Sequence, residues 1–189
     1  MAKAGDKRPT LVPVLAVGDI FPEYLETPVH ALLRYHNLGA PLPQTYGKPA
    51  ILVGMCMDHR KDLTIPNEFA YVLRSAGGNL RDSGFEVSYA IAVGGVTAIA
   101  LLGHSDCGMV HVTQKRDSFV QGLVERAGWN AAAAGRHFDR FAPRYEIGDA
   151  LAFTVAEAKR LRRRYPKVLV APLFYSVEDD RLAQIRVAS

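Results

Sequence analysis

Two short stretches carry residues whose types and spacing suit holding a metal ion and activating water. The first reads Cys56-Met57-Asp58-His59-Arg60; the second reads Gly103-His104-Ser105-Asp106-Cys107-Gly108. A cysteine taken singly is most often a buried small apolar group. Two thiolates and one imidazole together are three good zinc donors. Three protein donors leave a fourth position for water, which is the pattern of a catalytic site rather than a structural one. Zinc with two thiolates is formally neutral and acidifies its water less than an all-histidine site would, so a helper is needed nearby. Asp58, two residues from Cys56, suits a hydrogen bond from that water. Arg60, two further on, keeps Asp58 ionised and oriented. In an extended segment residues 56, 58 and 60 share one face. The expected outcome is a zinc-bound hydroxide that is nucleophilic near neutral pH.

Those groups must be delivered to one place by the elements before them. Ala50–Met55, Phe69–Leu73, Ala98–Leu102 and Lys167–Ala171 are short continuous apolar runs. Such runs fit strands buried on both faces of a parallel sheet. Helical patterns lie at Val29–Leu38, Phe85–Val96 and Asp149–Tyr165, with a further helix expected inside residues 111–145. Leu173–Val177 and Leu182–Val187 are read as two closing strands around the turn Glu178-Asp179-Asp180. The alternation predicts an α/β fold, a mainly parallel central sheet flanked by helices. Cys56 follows one predicted strand, and His104 with Cys107 follows another. Ligands of open α/β sheets bind beyond the carboxyl ends of strands.

Prolines at 9, 13, 22, 28, 41 and 43 mark residues 1–47 as an N-terminal arm with one helix, and residues 48–189 as a single zinc-binding α/β domain. A chain of 189 residues, 49% hydrophobic and 22% charged, is long enough for a real core and is neither disordered nor fibrous. Two cysteines cannot build a disulfide framework. A net charge of +4, with the basic run Arg160 to Arg164 read as a solvated helix end, predicts no nucleic-acid partner. No apolar run approaches a membrane span, so no membrane association is expected. Leu11–Val17 is short, contains Pro13 and is read as an ordinary arm, which makes the cytoplasm the expected compartment.

The pair C-x-D-x-R and H-x-x-C resembles the β-class carbonic anhydrases. Arg74-Ser75-Ala76-Gly77-Gly78-Asn79 resembles that family's Arg-Asn-Ala-Gly-Asn loop, Ser88-Tyr89-Ala90 and Gly95-Val96 its helix before the third strand, and Phe174-Tyr175 with the acidic turn its late strand. The resemblance runs from about residue 48 to 187. It implies Cys56, His104 and Cys107 as zinc ligands and Asp58 with Arg60 as a catalytic dyad. It also implies a second role for Asp58, as fourth zinc ligand in a closed state. The implied activity is reversible hydration of carbon dioxide to bicarbonate in a homodimer or higher homo-oligomer. A carbonyl sulfide or carbon disulfide hydrolase and a catalytically inactive zinc-binding homologue are the alternatives. The chain departs from the family at Gly47, where a glutamine is frequent and Gln44 is the nearest replacement, and at Ser75, where the family has asparagine. His59, His111 and Asp106 read as solvated loop residues, with proton shuttling a second role open to His59 as a histidine.

Overall fold

In the computed structural model, which describes residues 8–41 and 47–187, the chain runs through β1 (Thr10–Pro13), α1 (Pro28–Leu38), β2 (Ile51–Cys56), β3 (Ala70–Ser75), α2 (Gly84–Ala92), β4 (Ala98–His104), α3 (Arg116–Ala127), α4 (Ala131–Tyr145), α5 (Ala150–Arg164), β5 (Leu169–Ser176) and β6 (Arg181–Arg186). Strands β2 and β4 are buried at every position. A strand with no polar face needs cover on both sides, and that requirement builds the layers. On one face Val53, Met55, Ala100 and Leu173 pack against Val29, Leu32 and Leu33 of α1. On the other, Leu52, Ile99, Leu101 and Val170 pack against Val87 of α2 and Ala158 and Leu161 of α5.

The six strands form one open mixed sheet in the order β1-β6-β5-β4-β2-β3. The inner pairings β3–β2, β2–β4 and β4–β5 are parallel; β5–β6 and β6–β1 are antiparallel. From β2 the chain steps outward to β3, then crosses back to lay β4 on the opposite side of β2. The loops leaving β2 and β4 therefore part in opposite directions and open a crevice at the carboxyl ends.

Local signals fix the helices. Thr27 caps α1 by accepting from the His30 N–H, Pro28 occupies its first turn, and Gly39 ends it at φ 62°. Asp149 caps α5 by accepting from the Ala152 N–H at 2.7 Å, and Arg162, Arg163 and Arg164 complement its other end.

Four expectations change. Thr10–Pro13, read as part of an arm, is an edge strand paired antiparallel to β6. Lys167–Ala171 and Leu173–Val177 are one strand, β5. Pro172 joins the two runs, and since the β5–β6 ladder covers only Leu173–Ser176, its missing N–H costs no bond to β6. Helix α2 ends at Ala92, because Gly95 turns the chain at φ 74° into β4. Residues 111–145 hold two helices, separated by Gly128 at φ 69° and the Asn130 cap of α4.

Candidate metal centre

Cys56 is the last residue of β2 and His104 the last of β4, so the sheet itself sets them side by side. Cys107 returns to them on the loop after β4. One sulfur of each cysteine and one ring nitrogen of His104 lie within 4.8 Å of one another, and all three residues are buried. Donors 2.0–2.3 Å from a tetrahedral zinc stand about 3.5–3.8 Å from each other, so small adjustments bring this set around one ion.

The histidine supplies a sharper test of fit. Its Nδ1 lies 2.8 Å from the Ser105 carbonyl, which only accepts, so Nδ1 carries the proton. Nε2 then bears a lone pair, and it is buried with no hydrogen-bond partner among the described residues. A buried orphan acceptor costs free energy unless something binds it. A ring held by a backbone carbonyl with its other nitrogen free is the arrangement of a metal-ligating histidine. The sulfurs are equally suited. Cys56 is drawn well below the ordinary thiol range, first by a hydrogen bond from Cys107 and further by the backbone N–H groups of Asp58 and Gly77. Cys107 is pushed up by the same bond and by burial. The Gly77 N–H points at the Cys56 sulfur from 3.3 Å. That contact requires Gly77 at φ 66°, which glycine adopts without strain. The cluster is therefore able to bind a metal ion.

Asp58 and Arg60 meet beside it, though not along an extended segment. The strand ends at Cys56, and the Arg60 N–H turns back to Asp58 Oδ1 at 3.0 Å, an Asx-type turn. The guanidinium still grips the carboxylate in fork fashion, Nε to Oδ1 at 3.0 Å and Nη2 to Oδ2 at 2.7 Å. These bonds hold the Asp58 carboxyl well below the usual range. Oδ1 accepts two bonds and Oδ2 one, so Oδ2 keeps a free lone pair.

Two neighbours were not singled out by sequence. Asp106, expected as a solvated loop residue, is exposed but also takes Arg60 Nη1 at 2.6 Å. Its place between His104 and Cys107 was the available signal. Lys61 is 4% exposed and its ammonium has no hydrogen-bond partner among the described residues. Burial lowers its pKa, while Cys56, Asp58 and Cys107 pull the other way. No sequence pattern marks a lysine in that position as buried. Other expected residues stay apart. His59 is exposed on the turn, Gly47 is exposed with open space around it, and Ser75 Oγ donates to the Asn79 carbonyl at 2.6 Å. Gln44 lies outside the described residues. A cavity of about 410 Å³ opens against His104 and Cys107, with Lys115, Asp149 and Phe174 also in its wall.

No protein-family model matches the chain, and no curated protein does. Solved structures do. The β-carbonic anhydrase isoform I of the protozoan Trichomonas vaginalis aligns at TM-score 0.61 and 18% identity, over 79% of this chain and 90% of that one. A carbonic anhydrase from Streptococcus mutans aligns at 0.58 and 19%, over 88% and 100%. The apo form of a carbon disulfide hydrolase aligns at 0.53 and 19%, over 80% and 83%. The chain has the β-carbonic anhydrase fold. Its site joins that fold to a Cys-His-Cys cluster at the topological switch point.

Proposed function

We propose that the chain is a zinc-dependent carbonic anhydrase that interconverts carbon dioxide and bicarbonate. One observation carries this reading: the Cys56, His104 and Cys107 donor atoms converge within 4.8 Å beside the Asp58–Arg60 fork. Cys56, His104 and Cys107 would hold the metal. Zinc, when bound, supplies the Lewis acidity that brings the pKa of a water toward neutral. Asp58 offers the free lone pair of Oδ2 to orient the attacking oxygen. Arg60 keeps Asp58 ionised and aimed, and its own charge keeps the proton off that carboxylate. The buried apolar strand ends, Met55 and Leu102, limit bulk water behind the site.

The same arrangement would serve hydrolysis of carbon disulfide or carbonyl sulfide, and the likeness to a carbon disulfide hydrolase supports that second reading. Both readings take the chain as a homo-oligomer. Edge strand β3 leaves one side unpaired, and Val72, Tyr89 and Phe85, the last 79% exposed, lie exposed along it and on α2. They also take a reducing compartment, the cytoplasm, as its place, because both cysteines are free thiols. No helix among the described residues is long and apolar enough to cross a membrane.

The test is zinc content measured with hydration rate by stopped flow across neutral to mildly alkaline pH, and sulfide release from carbonyl sulfide and carbon disulfide alongside. One zinc per chain with rapid hydration is expected. Zinc with sulfide release but slow hydration selects the second reading. Zinc with neither activity reduces the protein to a metal-binding homologue.

A further inference from the structure

We propose that Asp106 is a positioning residue for Asp58, acting through Arg60; this rests on the function proposed above. Arg60 offers five N–H donors in one plane. Nε and one Nη2 hydrogen go to Asp58, Nη1 goes to Asp106 Oδ2 at 2.6 Å, and Nη2 also reaches the Asp106 carbonyl at 2.9 Å. One guanidinium thus binds both the side chain and the backbone of Asp106. That double grip needs the left-handed backbone found at Asp106, φ 52°, which Asp and Asn tolerate better than other non-glycine residues.

The consequence lies in what the fork alone cannot fix. Asp58 and Arg60 belong to one short turn whose backbone is steadied by long bonds from Arg74, 3.4 Å to the Asp58 carbonyl and 3.5 Å to the Lys61 carbonyl, contacts that leave the Arg60 guanidinium itself to be aimed. Asp106 sits between His104 and Cys107, so its contact ties the turn after β2 to the loop that leads from His104 to the third donor, Cys107. A purely structural role predicts little. Asp106 is 81% exposed and Arg60 38%, and exposed ion pairs add little to stability. Orientation is more sensitive, since a displacement of about 1 Å at a reacting group costs on the order of a hundredfold in rate.

The experiment compares zinc-loaded wild type, Asp106→Ala and Asp106→Asn. The alanine variant is expected to keep its zinc and to melt within about 2 °C of wild type. Its kcat is expected to fall about tenfold with KM unchanged. Zinc should pass to a chromophoric chelator several-fold faster, and the Arg60 Nε–H resonance should exchange faster with water. Asp106→Asn, which keeps an acceptor and suits the backbone, should restore most of each change. Wild-type kcat, chelator transfer and Nε–H exchange in Asp106→Ala overturn the proposal. So does a loss of rate that merely follows lost zinc or a lowered melting temperature. If wild type holds zinc but turns over nothing, the proposed function fails, while chelator transfer and Nε–H exchange still decide whether Asp106 holds the turn.

Discussion

The end of β2 and the loop after β4 both carry sulfur to the same point, but they are held by different means. Cys56 is still inside the sheet: the Met57 N–H continues the ladder to the Ser75 carbonyl, and Gly77 donates to the sulfur from the next turn. Cys107 lies three residues beyond β4, and its position depends on loop contacts. The Val110 N–H bonds the Cys107 carbonyl, the His111 N–H bonds the Ile147 carbonyl, and a lone parallel bridge joins Val110 to Ile147. The strand end presents a fixed half-site, comprising Cys56 and His104. The loop presents an adjustable half, comprising Cys107 and, through Arg60, Asp58. Rigid elements place reactive groups more accurately than loops, so the loop half needs additional ties.

Removing the loop sulfur tests this division most severely. Cys107→Ser is expected to lose zinc on dialysis and all hydration with it, exceeding the roughly 10–100-fold loss of affinity that follows removal of an outer partner. Because the strand end is built by the sheet, circular dichroism should show the same secondary structure. Full zinc occupancy in this variant would remove Cys107 from the site.

Asp58→Asn should act next, and differently. An amide presents a donor to Arg60 where two acceptors are needed, so kcat/KM is expected to drop about a hundredfold with zinc retained. Stability carries a second signature. Arg60 lowers the folded pKa of Asp58, so the stabilisation is present above the ordinary carboxylate range and is lost as pH falls through the lowered value. The asparagine variant should show a flatter acid limb in urea melts recorded at falling pH. A wild-type rate would mean that the fork is only a surface ion pair.

The same division explains what was legible in the sequence. Ala50–Met55 and Ala98–Leu102 announce central strands because burial on both faces writes an unbroken apolar run, and β2 and β4 lie there. Their ends fix Cys56 and His104 in space. Edge strand β1 left no such trace: Thr10–Pro13 pairs on one side only, and its exposed residues read as arm. The continuity of β5 across Pro172 was not legible, because proline's meaning depends on which side of a strand needs a bond. At the site, residue types spaced two and three apart identified the donors and the fork. The contact from Asp106 to Arg60 spans 46 residues and depends on a left-handed backbone that no spacing encodes.

Gly77→Ala probes the fixed half directly. The left-handed φ costs an alanine about 1 kcal/mol, and the new Cβ would meet Met109 Cβ at 3.3 Å. A melting temperature lower by about 2–4 °C is expected, with weaker zinc retention as the N–H shifts off the Cys56 sulfur. An unchanged chelator transfer rate would show that the sheet alone holds Cys56.

Lys61→Met should have the smallest effect and sharpens the comparison most finely, because Lys61 feels both halves at once: Cys56 on one side, Asp58 and Cys107 on the other. Its amine is buried and unpartnered among the described residues, and burial lowers its folded pKa below the unfolded value. The sign follows directly. The cost of the charged form is present below the folded pKa and lifts as pH rises toward the unfolded one. At neutral pH the thioether, of similar length and apolar, should therefore stabilise the zinc-free protein by about 1 kcal/mol, read as a melting temperature higher by about 2–4 °C. The gain should shrink in alkaline buffer, where the lysine itself turns neutral. A lower melting temperature would instead mean that the ammonium is held by the two sulfurs, and that the fixed and adjustable halves are joined by charge as well as by Arg60.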